Sequence, residues 1–196
     1  MKYEIIERED GKQAIFDENG KQISPDWFDW VPYSGLVMGE SDYYFAKKNG
    51  KWAIFDKYGN QISPDWYDWI KKDGLVMGQS DYYFAKKNDK YAIFDKDGNM
   101  ITKEWCLKIY SDSLLRGKSD FFIACNEDTC AVYYKDGKKV SEDFSIGYVK
   151  YVNRITFYDK LGVVELFDVF GNLVKSVDFI YPYKEEFLDY TKLLNI

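Results

Sequence analysis

The chain is written as short β-rich blocks punctuated by turn residues. In "DYYFAKKNGKWAIFDK" (Asp42–Lys57) two apolar-centred runs flank Asn49-Gly50, a pair that favours the two-residue hairpin turn because both positions need positive φ. "DKYG" follows, with Asp56 opening and Gly59 closing a type I turn. The pattern then predicts a short strand at "NQI", a loop or helical turn at "SPDWYDW" (Ser63–Trp69), and a further short strand in "DGLVMGQS" bounded by Gly74 and Gly78. That is four short strands in about 39 residues.

The block recurs. Residues 11–49 and 50–88 align without a gap and agree at 29 of 39 positions. The register continues as "DKYAIFDKDGNMITKEW" from Asp89 and "DTCAVYYKDGKKVSEDF" from Asp128, and a degenerate fifth copy reads "ITFYDKLGVVELFDVFGN". The turn glycine returns as Gly20, Gly59, Gly98, Gly137 and Gly171, as a required positive φ would demand. The expectation is an all-β chain of five four-stranded units, approximately 1–33, 34–72, 73–111, 112–150 and 151–183, forming one repeat domain over residues 1–196. Four strands and about 40 residues match one β-propeller blade, so a five-bladed propeller leads and an open β-hairpin solenoid is the alternative. A ring would close by pairing "EEFLDY" of the C-terminal segment 184–196 beside the first strand. The rival for that segment is a short helix, since "YKEEFLDYTKLLN" has helix formers and apolar spacing.

Composition narrows the chemistry. Aromatics make up 19% of the chain, which favours sheet. The net charge is −6 with lysines in scattered pairs, so no concentrated basic patch invites nucleic acid. The absence of histidine removes Ser-His and Cys-His nucleophiles and histidine-ligated metals together. Cys106, Cys125 and Cys130 are too few for a disulfide framework; Cys125 and Cys130 face each other if their segment is a hairpin, yet free thiols in a reducing cytosol are the expectation. No apolar run reaches membrane-spanning length, and "MKYEIIERED" lacks an apolar signal region, so a cytoplasmic protein is expected. "DKDGN" (Asp95–Asn99) begins like a calcium loop, but position twelve is Cys106 where an EF-hand needs glutamate. No metal or cofactor is expected.

"GKWAIFDKYGNQISPDWYDWI" resembles the bacterial WG-repeat (KWG-repeat) family, whose pattern is a Gly-Lys-Trp-Gly start, an Asp-x-x-Gly turn, a β-branched strand, then proline and an aromatic-Asp pair. Ala53 stands where that family has glycine, and Trp52 is the one tryptophan at its position among the copies. The resemblance implies a repeat-built β scaffold and supplies no catalytic residue.

Within "SPDWFDW" (Ser24–Trp30), serine, proline and aspartate read as a helix start: Ser24 as N-cap, Pro25 as first helical residue, Asp26 in the favourable dipole field. One helical turn would set Trp27 and Trp30 on the same side. The first aromatic persists as Trp27, Trp66, Trp105 and Phe144, as expected of anchors filling the seam between units. The second decays from Trp30 and Trp69 to Lys108 and Gly147, marking a surface position. Asp29, Trp30, Asp68 and Trp69 are therefore the binding candidates, suited to an aromatic anchor in a protein interface or to stacking on a sugar. Acid pairs such as Asp26/Asp29 recur, whereas a catalytic site is usually single. The expected function is non-enzymatic: a scaffold for a protein partner, alternatively a multivalent glycan-binding module, and third an acidic immunity or inhibitor-like protein.

Overall fold

A computed structural model describes residues 3–127, 129–141 and 143, together with the strand backbone within 151–180. The fold is all-β: small antiparallel sheets and, among the described residues, a single α-helical turn. By proximity the chain divides into two compact units, Met1–Trp105 with Asp112–Gly117, and Cys106–Ser111 with Lys118–Ile196.

In the first unit, β1 (Tyr3–Glu7) pairs with β2 (Gln13–Asp17), and β3 (Tyr43–Lys48) with β4 (Lys51–Asp56). The third sheet has β6 (Tyr82–Lys87) between β5 (Trp69–Ile70) and β7 (Lys90–Asp95). The Asn-Gly reading holds: Asn49 and Gly50 sit at φ 52° and 77°, and Lys48 faces Lys51 across the turn. The Asp-x-x-Gly reading holds too. Gly59 lies at φ 85°, and one Asp56 carboxylate oxygen accepts the Tyr58 and Asn60 amides at 2.9 and 2.8 Å. Asp95 does the same for Asp97 and Asn99, so its carboxylate is spent on its own turn.

The β3–β4 hairpin is apolar on both faces because both are covered. Tyr44, Ala46, Ala53 and Phe55 join Tyr3, Ile15, Phe28, Val31, Leu36 and Val37 in one core. Phe45 and Ile54, alternating with them, join Tyr67, Ile70, Leu75, Val76, Tyr83 and Phe94 in the next. The period-2 side-chain alternation of a strand thus feeds two cores in turn, which is why "YYFA" and "AIF" read as unbroken apolar runs.

The short strand expected at "NQI" is reduced to a single bridge between Gln61 and Phe55, and two further expected elements are absent. "GLVM" (Gly35–Met38) is a 3-10 turn and its counterpart at Gly74–Gly78 is also a turn, so the fourth strand of the unit is not formed. Glycines at positive φ curl both ends, the Glu40 amide closes onto the Gly35 carbonyl at 2.9 Å, and Leu36 and Val37 are driven inward. In the third such position the chain forms the helical turn α1 (Asp112–Leu115), again burying two apolar residues, Leu114 and Leu115. Nor does "SPDW" form a helix; Ser24–Asp26 and Ser63–Asp65 are bends. Instead of capping, the buried Ser24 and Ser63 hydroxyls each accept the Ile15 or Ile54 amide from a strand nine residues back, both at 3.1 Å.

In the second unit, β9 (Phe121–Asn126) lies between β8 (Lys108–Tyr110) and β10 (Thr129–Tyr134). A separate meander carries the fifth copy as β11 (Tyr151–Tyr158), β12 (Leu161–Phe167) and β13 (Leu173–Ile180). Phe144, Gly147, Gly171 and the segment 184–196, with the readings made of them, lie outside the described residues.

Candidate functional site

The "FDW" and "YDW" triplets are where the chain leaves one sheet and enters the next. Phe28 exchanges two backbone hydrogen bonds with Gln13 of β2, both 2.8 Å. One residue later the Asp29 amide donates to the Lys47 carbonyl of β3, and Lys47 donates back to Trp30, both 2.8 Å. Tyr67 and Trp52 make the same exchange at 2.8 Å, and the Asp68 amide donates to Lys86 at 2.9 Å. In the third copy, Leu107 donates to Cys125 at 3.0 Å and Lys108 aligns with Cys125. Each of the first two crossings is a splice between consecutive sheets.

This geometry assigns each position a job. The fully buried anchors are Phe28, Tyr67 and Cys106, one residue beyond those expected. Trp27, Trp66 and Trp105 are half-buried. Trp66 does lie across copies, meeting Phe28 of the preceding one at 6.3 Å and Phe55 of its own at 6.0 Å. Trp105 likewise meets Tyr67 and Phe94 at 5.8 and 5.9 Å. Trp27 rests on Phe16 at 5.9 Å beneath the Arg8 guanidinium. It does not share a side with Trp30, because no helical turn links them.

Asp29 and Asp68 are committed to structure. One Asp29 carboxylate oxygen accepts the Lys12 ammonium and the other accepts the Asn49 amide at 2.5 Å, so it ties the preceding hairpin to the turn of the following one. Asp68 repeats this with Lys51 at 2.5 Å and the Asn88 amide at 2.7 Å. The lysine hydrogen bond first, and the amide second, hold both carboxyls below the usual carboxylate range. Asp26 and Asp65 pair with Lys48 and Lys87.

Trp30 and Trp69 remain outward, 49% and 43% exposed. Each begins a row across the sheet that sequence reading missed. Trp30 aligns with Lys47 and Lys47 with Trp52; the two indoles meet edge-on at 5.4 Å, with the ammonium 5.7 Å from the Trp52 ring. Trp69 aligns with Lys86 and Lys86 with Tyr91, the ammonium 5.8 Å from that ring. Counting register outward from the Asn-Gly turn would have found Lys47 opposite Trp52. An indole locked by packing and flanked by a cation is a rigid amphipathic contact with little rotamer entropy left to lose.

The third row ends differently. Lys108 aligns with Cys125 and Cys125 with Cys130, and these cysteines are bonded as a disulfide with Cα atoms 4.0 Å apart. The expectation of free thiols is overturned for this pair; Cys106 stays a buried thiol. The cysteines occupy the Lys47–Trp52 register, a pair that exchanges no ladder hydrogen bonds and so brings its side chains closest. A covalent link stands where the β3–β4 and β6–β7 hairpins carry a cation over a ring. Among the described residues no cluster of three or more His, Cys, Asp or Glu is placed to hold a metal, and no helix is long and apolar enough to cross a membrane.

No family model matches the chain, and no curated protein matches it. Among solved structures, a eukaryotic initiation factor aligns over 94% of this chain and 50% of its own at 8% identity and TM-score 0.40. The dihydro-heme d1 dehydrogenase NirN aligns over 88% and 43% at 11% identity and TM-score 0.34. Kluyveromyces lactis Hsv2p aligns over 65% and 40% at 12% identity and TM-score 0.27. The chain spans half or less of each, and similarity at this level carries no argument about fold or function.

Proposed function

We propose that this chain is a non-enzymatic, repeat-built β scaffold that binds a partner protein through Trp30 and Trp69. The observation that carries the reading is one half-exposed tryptophan per crossing, at equivalent positions in two nearly identical copies, each beside a lysine of the next strand. Rigid aromatic side chains of this kind dominate interface energetics. The same equivalence supports the second reading, a multivalent glycan-binding module, which requires at least two like sites. The finer architecture proposed with it is the five-bladed propeller of WG-repeat-like units, supported by the burial of both faces of β3–β4. The Cys125–Cys130 bond shifts the proposed setting from a reducing cytosol to an oxidising compartment, where such bonds persist. Affinity capture with immobilised protein tests the reading. A specific partner retained by wild type and lost by Trp30→Ala/Trp69→Ala is expected; retention by both abandons these residues as the contact. Hits on a glycan screen with no protein captured would favour the second reading.

A further inference from the structure

The two tryptophan rows are alike in their rings and differ in charge. Trp30 aligns with Lys47 and Lys47 with Trp52, as Trp69 aligns with Lys86 and Lys86 with Tyr91. In the second row the lysine is answered from within: the Asp89 carboxylate sits 2.7 Å from the Lys86 ammonium, on a side chain 94% exposed at the hairpin turn. In the first row the position of Asp89 belongs to Gly50. The two turns share one backbone, with Asn49-Gly50 at φ 52° and 77° and Asn88-Asp89 at φ 51° and 58°. A Cβ at Gly50 would stand in open space. The point beside Lys47 that corresponds to the Asp89 carboxylate is thus accessible, and the turn itself supplies no charge there. Asp29, whose charge reaches Lys47, is already engaged: its oxygens accept the Lys12 ammonium and the Asn49 amide.

We propose that Trp30, Lys47 and Trp52 take an aspartate or glutamate side chain of the partner protein onto the Lys47 ammonium, with an apolar neighbour of that residue against Trp30. The inference rests on the reading of Trp30 as a contact and deepens it by naming what the contact recognises. The chain itself shows the chemistry of the occupant, since Asp89 makes this pairing with Lys86 in the second row. The site is ordered before a carboxylate arrives: the indoles meet edge-on at 5.4 Å and the ammonium of half-buried Lys47 lies 5.7 Å from the Trp52 ring. A charge-assisted hydrogen bond formed beside two indoles is stronger than one in open water, because the rings exclude solvent. The two rows are therefore unequal. Trp69 offers an apolar contact, whereas Trp30 offers one with a charge to be matched. The net charge of −6 disfavours acidic partners at long range, so this recognition selects by contact and not by steering.

The probe is a phage-displayed library of random dodecapeptides selected on the full chain, with the best peptide then synthesised and titrated by calorimetry. Selected peptides are expected to carry an acidic residue next to an aliphatic or aromatic one. Affinity should fall at least tenfold with Gly50→Asp, which gives Lys47 the counter-charge that Lys86 already has, and with Lys47→Met, which keeps the stem against Trp52. Gly50→Asn, which takes the same left-handed turn without charge, should bind as wild type does. Exchanging the peptide's acid for its amide should weaken binding to wild type and leave binding to Lys47→Met unchanged. Circular dichroism should find all three variants folded, as the Asn88-Asp89 turn shows that aspartate fits there. Failure to select any peptide, no enrichment of acidic residues, or unchanged affinity in Gly50→Asp overturns the proposal. A peptide lost in Trp30→Ala but indifferent to Lys47→Met overturns the carboxylate and keeps the tryptophan reading; one indifferent to both overturns the two together. Sialyllactose bound by wild type and lost in Gly50→Asp, with no peptide selected, would put the carboxylate on a sugar and overturn the protein occupant.

Discussion

Ser63→Ala separates two accounts of the same serine. The Ser63 hydroxyl is buried and accepts the amide of Ile54, itself fully buried in the middle of β4. Alanine leaves that amide without a partner and without water. An orphaned buried donor costs about 1–3 kcal/mol, and with a urea slope of about 2 kcal/mol/M the unfolding midpoint should fall by about 1 M. A helix cap would lose a comparable amount with alanine, so the alanine variant alone does not discriminate. Ser63→Asp does. Aspartate serves a cap as well as serine does, whereas at Ser63 it would bury a carboxylate with a single amide to face, a cost of several kcal/mol. Equilibrium urea unfolding followed by tryptophan fluorescence should therefore rank wild type above alanine and alanine above aspartate. A Ser63→Asp protein as stable as wild type would refute the strand-acceptor role and restore the cap.

Other outcomes follow from the same geometry. Gly59→Ala should cost well over the ~1–2 kcal/mol of a left-handed alanine, because a Cβ there would sit 2.3 Å from the Ile23 carbonyl oxygen, whereas Gly20→Ala, with open space around it, should cost only the conformational term; thermal melts compare the two. Thiol titration of unreduced, denatured protein should find one reactive cysteine and reduction should raise it to three; replacing both bonded cysteines with serine should cost about 2 kcal/mol for so short a loop. Burial raises the pKa of Tyr44, Tyr67 and Tyr83. A pKa raised on folding gives stability that is complete below the unfolded value and lost above it, so the chain should weaken as pH climbs past about 10. Tyrosinate absorbance should then show these tyrosines ionising together with unfolding; their ionisation in a chain that stays folded would contradict the burial.

Local turns were legible because they are fixed by a few neighbouring residues. Asn49-Gly50 and the Asp56–Gly59 turn behave as their sequences require. What failed depends on partners far along the chain. Ser-Pro-Asp has the same letters whether serine caps a helix or accepts an amide nine residues away, and only the burial of Ile15 and Ile54 decides between them. Trp66 and Trp105 do pack across copies as expected, but the more deeply buried Phe28 and Tyr67 beside them were missed, because sequence does not reveal that Phe28 and Trp30 belong to different sheets. Comparison of copies did identify the outward position correctly as one that tolerates lysine. It did not foresee that Asp29 and Asp68 would spend their carboxylates on the next hairpin, since the amides of Asn49 and Asn88 lie 20 residues ahead.

Oxidative footprinting read by mass spectrometry tests the central claim, that the first two crossings each free one tryptophan for contact. The account predicts that Trp30 and Trp69 oxidise fastest in the free protein, ahead of Trp27, Trp66 and Trp105, and that both are protected once the partner is bound. Faster oxidation of Trp27 and Trp66, or a bound complex in which Trp30 and Trp69 stay as reactive as before, would contradict it.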